Sequence, residues 1–235
     1  MPSQQLWRFD VDTLQWVNET KDVHAWPQAR SGHFGCVLRT QAGEDMLITG
    51  SGFELQNING AVLGGVLSDV WAFSFTNRTW QPRAPLPEAL GNADYACLGD
   101  RLVLSGGTTC VDVHCTTGET TDALLVYNAT TDVWVRPAFS EPHPGPQWGG
   151  SMFINSANGL MYVYGGTSVG EIGPSESQVL ATSMSNSTWR LTLSPDNLNA
   201  TWYAIPNSSL PGPLLIAQSC SLPAFGLMTG GFKSM

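Results

Sequence analysis

The sequence predicts an all-β fold made of several copies of one four-stranded antiparallel sheet, and three observations carry that prediction. First, 25 glycines and 15 prolines are scattered between short apolar runs, as in a chain of many strands whose tight turns need the dihedrals those residues supply. Second, a short apolar strand ending in small residues recurs at Leu47-Ile48-Thr49-Gly50-Ser51-Gly52, Leu102-Val103-Leu104-Ser105-Gly106-Gly107, Met161-Tyr162-Val163-Tyr164-Gly165-Gly166 and Leu227-Met228-Thr229-Gly230-Gly231. Third, a strand, a polar turn and a tryptophan follow the first three endings: Asp69-Val70-Trp71-Ala72-Phe73 leads to Trp80, Ala123-Leu124-Leu125-Val126-Tyr127 to Trp134, and Thr188-Trp189-Arg190-Leu191 to Trp202. A further copy, Leu6-Trp7-Arg8-Phe9 leading to Trp16, opens the chain. Two apolar strands joined by a turn rich in Asn, Asp and Thr form a hairpin signature, and repetition over a few tens of residues points to stacked or radial units.

Bulk composition narrows the function classes. The 235 residues are 42% hydrophobic and 12% charged, which reads as folded and globular. A net charge of −9, with Lys21 and Lys233 the only lysines, leaves no basic patch to replace counterions on a phosphate backbone, so nucleic acid is not an expected partner. No apolar run of 18 or more residues occurs, and Met1 to Asp10 does not pair a basic segment with an apolar one. Direct membrane insertion of this segment, or a signal peptide within it, is therefore not expected.

The double glycine, the aromatic strand and the spaced tryptophan together resemble the kelch repeat, over nearly the whole chain. The resemblance implies a β-propeller whose blades carry strands a to d from the centre outward. A c–d hairpin at 6–17, blades at about 31–82, 92–136 and 148–205, and a final a–b hairpin at 214–232 make about four blades' worth of strands in one domain. The terminal hairpins could close a four-bladed ring. Kelch-like propellers usually have six or seven blades, however, and part of such a ring is the favoured expectation. Gly50-Ser51-Gly52 departs from the double glycine, and Leu125 replaces the usual aromatic.

In an up-and-down blade the b–c and d–a connections share one face and the a–b and c–d turns the other. The b–c loops Phe53 to Ser68, Thr108 to Thr121 and Thr167 to Ser187 far exceed the usual few residues, and long loops on a rigid scaffold are where binding residues gather. Glu54, Asp112, His114, Glu119, Glu171 and Glu176 are the candidate binding residues on that face. The bland alternative is a set of disordered insertions. The expected function is recognition of a protein or a glycan in a secreted or membrane-attached protein; the alternative is an intracellular kelch scaffold or adaptor.

Cys110 and Cys115 lie in one loop and read as a disulfide, which would require an oxidising compartment. Cys36, Cys97 and Cys220 fall in strands preceding glycine endings and read as buried core thiols in different blades. Trp16, Trp80, Trp134 and Trp202 recur at one blade position and read as core packing, while Trp26 and Trp148 lie outside that register and read as packing against the neighbouring blade, with an exposed binding aromatic as the other reading. Six sequons, at Asn18, Asn77, Asn128, Asn186, Asn199 and Asn207, are candidate glycosylation sites; their other reading is turn chemistry. An extracellular or ectodomain setting is favoured over a cytoplasmic one.

Galactose-oxidase-like enzymes and some sugar-processing isomerases share the architecture, but fold alone does not confer activity. His24, His33, His114 and His143 are scattered over separate blades and loops, so no catalytic triad, no metal site and no cofactor is expected.

Overall fold

A computed structural model describes residues 5–19, 26–58, 61–110, 118–168 and 184–206, with the strand backbones at 214–215, 218–221, 226–229 and 232–233. The described residues are all-β and contain no helix. Strands β1 (Trp7–Asp10) and β2 (Gln15–Asn18) form an opening hairpin. Three four-stranded antiparallel sheets follow. The first contains β3 (Phe34–Arg39), β4 (Asp45–Gly50), β7 (Val70–Ser74) and β8 (Thr79–Arg83), interrupted by a hairpin of β5 (Phe53–Ile58) and β6 (Ala61–Val66). The second contains β9 (Asp94–Leu98), β10 (Arg101–Ser105), β13 (Leu124–Asn128) and β14 (Val133–Val135), with a hairpin of β11 (Thr108–Cys110) and β12 (Gly118–Thr120) at the same point. The third contains β15 (Trp148–Asn155), β16 (Leu160–Thr167), β17 (Thr188–Leu193) and β18 (Ala200–Ile205). Strands β19 (Leu214–Leu215) and β22 (Phe232–Lys233) pair, as do β20 (Gln218–Ser221) and β21 (Gly226–Thr229), and β20 lies against β15.

Each sheet is a blade because alternate residues of every strand face opposite neighbours. Phe34, Leu38, Met46, Ile48 and Val70 of the first blade meet Leu102, Leu104, Leu125 and Tyr127 of the second in one buried cluster. The other side of the second blade, with Val103, Leu124 and Val126, meets Met152, Met161, Val163, Leu191 and Trp202 of the third. Burying one such side chain contributes about 1.5–3 kcal/mol, so the two interfaces hold the blades in order.

The repeated tryptophan has a local cause. Phe73 pairs across the ladder with Trp80 and Tyr127 with Trp134, at ring-centroid distances of 5.3 and 4.9 Å; such cross-strand pairs stabilise hairpins. The turns before Trp16, Trp80 and Trp134 are each fixed by the last polar residue of strand c. Asp10 accepts the backbone N–H groups of Asp12 and Thr13, Asn128 those of Thr130 and Thr131, and Ser74 that of Asn77. Each turn then passes through a left-handed residue, Leu14, Arg78 or Asp132. Trp80 and Trp202 are buried and Trp134 packs against the first cluster. Trp16 departs from the core-packing expectation at 66% exposed: its ring meets only the tilted ring of Phe9 within its own hairpin, and no sheet among the described residues covers that face.

The cysteine expectation is also corrected. Cys36 and Cys97 are joined by a disulfide with Cα atoms 6.5 Å apart. Ladder partners explain this: Phe34 opposite Gly50 is the counterpart of Asp94 opposite Ser105, so Cys36 corresponds to Ala96 and Cys97 to Val37. One residue of offset turns Cys36 towards the second blade and Cys97 back towards the first, on the inner strands where neighbouring blades converge.

Candidate functional site

The b–c connections of the first two blades are ordered hairpins. Strand b ends where two successive left-handed residues turn the chain, Ser51 and Gly52 in the first blade and Gly106 and Gly107 in the second. The backbone then re-forms a rung: Ser31 and Phe53 exchange N–H···O bonds at 3.0 and 2.8 Å, and Gly91 and Thr108 at 2.9 and 2.8 Å. The hairpins β5–β6 and β11–β12 are thus rooted on the inner side of their blades, and β6 approaches β11. The N–H of Gly52 donates to Leu90 O and that of Gly107 to Gln147 O, tying each blade to the segment that leads into the next. Ser51 tolerates the first of these positions at φ 67° because its hydroxyl also donates to Leu90 O.

Phe53 shows how closely the parts meet. A Cβ at Gly91 would lie 2.1 Å from the Phe53 ring, so the ring covers bare backbone of the neighbouring blade. Beneath this contact the buried Arg30 donates to Gln28 O, Ser51 O and, through both terminal nitrogens, to Asp69 Oδ1 and Oδ2 at 2.8 and 2.7 Å. The Trp71 indole also donates to Asp69. Burial raises the Asp69 pKa, but these donors outweigh it and hold the carboxyl below its ordinary value. Burial, assisted by the charge of Arg30, lowers the His33 pKa.

Of the expected binding residues, Glu54 lies on β5 and accepts a 2.8 Å bond from Gln28 Nε2, while Glu119 is exposed on β12. Asp112, His114, Glu171 and Glu176 lie outside the described residues. Cys110 is disulfide-bonded; Cys115 lies outside the described residues. Asn18, Asn77, Asn186 and Asn199 are exposed. Asn128 is partly buried, its carbonyl caps the turn and its amide donates to Asp100. Asn207 lies outside the described residues.

Two features were absent from the sequence expectations. The Arg30–Asp69 pair joins residues 39 positions apart. Asp94 is wholly buried where the second and third blades meet; burial drives its pKa up to about 8, and a bond from the backbone N–H of Gly150 works against that rise. Its sequence signal was an acid opening the otherwise apolar strand Asp94-Tyr95-Ala96-Cys97-Leu98. Trp26, read from the sequence as a packing or binding aromatic, lies against Trp80 and lines a cleft with it. Among the described residues no three of His, Cys, Asp and Glu gather as a metal site would require.

The blades, the glycine turns and the cross-strand tryptophan pairs define a kelch-type β-propeller architecture. Residues 1–199 match the family model described as the KLHDC2/KLHL20/DRC7 Kelch-repeats domain, and the chain belongs to that kelch-repeat family. No curated protein matches the chain significantly. Kelch domains are in general protein-binding modules, and among the described residues no helix is long and apolar enough to cross a membrane.

Proposed function

We propose that this chain recognises a protein partner through the face carrying β5–β6 and β11–β12, as part of a secreted or membrane-attached protein. The observation that carries the reading is the rooting of both hairpins by paired backbone bonds on a rigid blade stack. Such hairpins present side chains at little ordering cost on binding. Glu54 and Glu119 give the face an acidic character, which suits a partner with complementary basic groups.

The setting is supported by cysteine and asparagine chemistry. The Cys36–Cys97 bridge and the bonded Cys110 suit an oxidising compartment. The exposed sequons Asn77 and Asn199 sit at c–d turns, opposite the hairpins, where glycans would leave the binding face clear. An intracellular adaptor is the second reading, favoured by the family's general role in protein binding.

The test shortens β5–β6 and β11–β12 to tight turns, singly and together, and compares cross-linked partners recovered from the secreting cells with those of the intact chain. Loss of the same partner from each shortened chain is expected. Undiminished recovery by the doubly shortened, folded chain would refute the reading.

A further inference from the structure

The aromatic face of the β1–β2 hairpin is open. Phe9 and Trp16 are 42% and 66% exposed, and Trp7, Val11 and Leu14 of the same hairpin are exposed with them. The equivalent rungs of the second and third blades, Tyr127–Trp134 and Leu191–Trp202, are packed. What closes them is the preceding blade. Tyr127 and Trp134 share a cluster with Ile48 and Ala72 of the first blade, and Leu191 and Trp202 share one with Val103 and Val126 of the second. Ile48 is the ladder partner of Ala72, and Val103 that of Val126. Each blade thus receives its successor on one rung of strands b and c.

In the third blade that rung is Tyr162–Arg190, continued by Tyr203 on strand d. Ala72 and Val126 are 3% and 1% exposed, whereas Arg190 is partly exposed and Tyr203 is 44% exposed. The Arg190 guanidinium lies 4.4 Å from the centroid of the Tyr203 ring, so this open receiving surface is both cationic and aromatic. Strands β20 and β21 lie against β15, the inner strand of the same blade.

The backbone edges correspond as well. Among the described residues β1 pairs only with β2, and β21 only with β20. By their place in the repeat β1 is a strand c and β21 a strand b, the two strands that pair in every complete blade. An unpaired edge is a template for another strand. Aligning the glycine endings sets Gly226 opposite Phe9, as Leu102 is opposite Tyr127. The chain does not make this closure with itself. Its β1–β2 hairpin is held on the first blade, where the buried Glu19 pairs with Arg78 and Arg8, and its aromatic face stays exposed.

We propose that a second copy of this chain fills both vacancies: β1–β2 of one copy completes the half-blade β20–β21 of the other, with Trp7, Phe9 and Trp16 against the Tyr162–Arg190–Tyr203 rung. The contact is head-to-tail, and its reciprocal closes a two-fold ring. The three aromatic rings bring apolar area and π faces to the Arg190 guanidinium. Six whole blades and two composite ones make eight, within the four to eight of propellers. Such a ring carries the β5–β6 and β11–β12 hairpins of both copies on one face, but the inference does not depend on what those hairpins bind.

Sedimentation velocity of the intact chain over a range of concentrations should show a monomer–dimer equilibrium. Trp16→Asp and Tyr203→Asp alter exposed side chains on opposite sides of the contact, and unchanged thermal transitions certify their folds. Each variant alone is expected to dimerise at least about 100-fold more weakly than the parent. Mixed, the two should form a 1:1 dimer, because Trp16 of the Tyr203→Asp chain meets Tyr203 of the Trp16→Asp chain across one intact contact. The proposal is overturned if the parent stays monomeric up to about 1 mM, if its mass grows past the dimer, or if either variant dimerises as the parent does. It is also overturned if the mixture stays monomeric, the mark of a self-complementary contact.

Discussion

Replacing Asp94 by asparagine should make the protein more stable at neutral pH, and the gain should vanish in acid. In the folded chain the carboxyl is wholly buried and its pKa is about 8, against an ordinary 3.8. Between those values the folded state holds a proton that the unfolded state releases, so this group's contribution falls as pH rises. It is fully present below pH 3.8, declines by about 1.4 kcal/mol per unit through neutrality, and levels off above 8. Integrated to pH 7, some three units of difference amount to about 4 kcal/mol of lost stability. Asparagine is neutral in both states, and its carbonyl can accept the Gly150 N–H. Urea unfolding of both proteins from pH 4 to 8 gives the difference directly, which isolates Asp94 from oppositely shifted acids such as Asp69. The variant is expected to lead by up to about 4 kcal/mol at pH 7 and by little at pH 4. Parallel pH profiles, or a lead that grows in acid, would show that Asp94 is ionised in the folded chain and that the burial argument is wrong.

Three further outcomes follow from the same geometry. Cys36→Ser with Cys97→Ser opens a loop closed over a separation of 61 residues; chain entropy puts the loss at about 4 kcal/mol, measurable by denaturant unfolding, and an unchanged midpoint would deny the bridge. Asp69→Ala leaves Arg30 buried without its carboxylate and should cost about 3 kcal/mol, whereas Asp45→Ala, whose partner Arg39 is exposed, should cost under about 1 kcal/mol. Peptide mapping before and after glycosidase treatment should find Asn77 and Asn199 occupied and Asn128 bare, since the Asn128 amide is already engaged by Asp100; a chain purified from its own cells with no glycan and only free thiols would favour the intracellular adaptor.

The blades were legible because their signals are local. Glycine-ended strands and the pairs Phe73–Trp80 and Tyr127–Trp134 arise within single hairpins, where spacing in sequence is spacing in space. The site was less so. Strand β11 is only three residues long, and β6 holds Gly64 and Gly65, which break the alternation that would announce a strand. Long loops could be recognised, but not that they fold back as hairpins. The Cys36–Cys97 bridge was not legible because the two cysteines sit one residue out of register in the inner strands of adjacent blades, an offset that only the rungs Phe34–Gly50 and Asp94–Ser105 reveal. Arg30–Asp69 and Trp26–Trp80 join the segment leading into strand a with strand c or d, across distances no repeat pattern encodes. Trp16 obeys the repeat yet is exposed, because periodicity specifies a hairpin's rungs and not what packs upon it.

Hydrogen–deuterium exchange of the chain with and without its cross-linked partner would show directly which face meets that partner. Slowed exchange confined to β5–β6, β11–β12 and the adjoining segments 28–32 and 90–92, with the c–d turns at 75–78, 129–132 and 195–198 unchanged, is the predicted footprint. Protection of those c–d turns, with the hairpins exchanging as in the free chain, would contradict it.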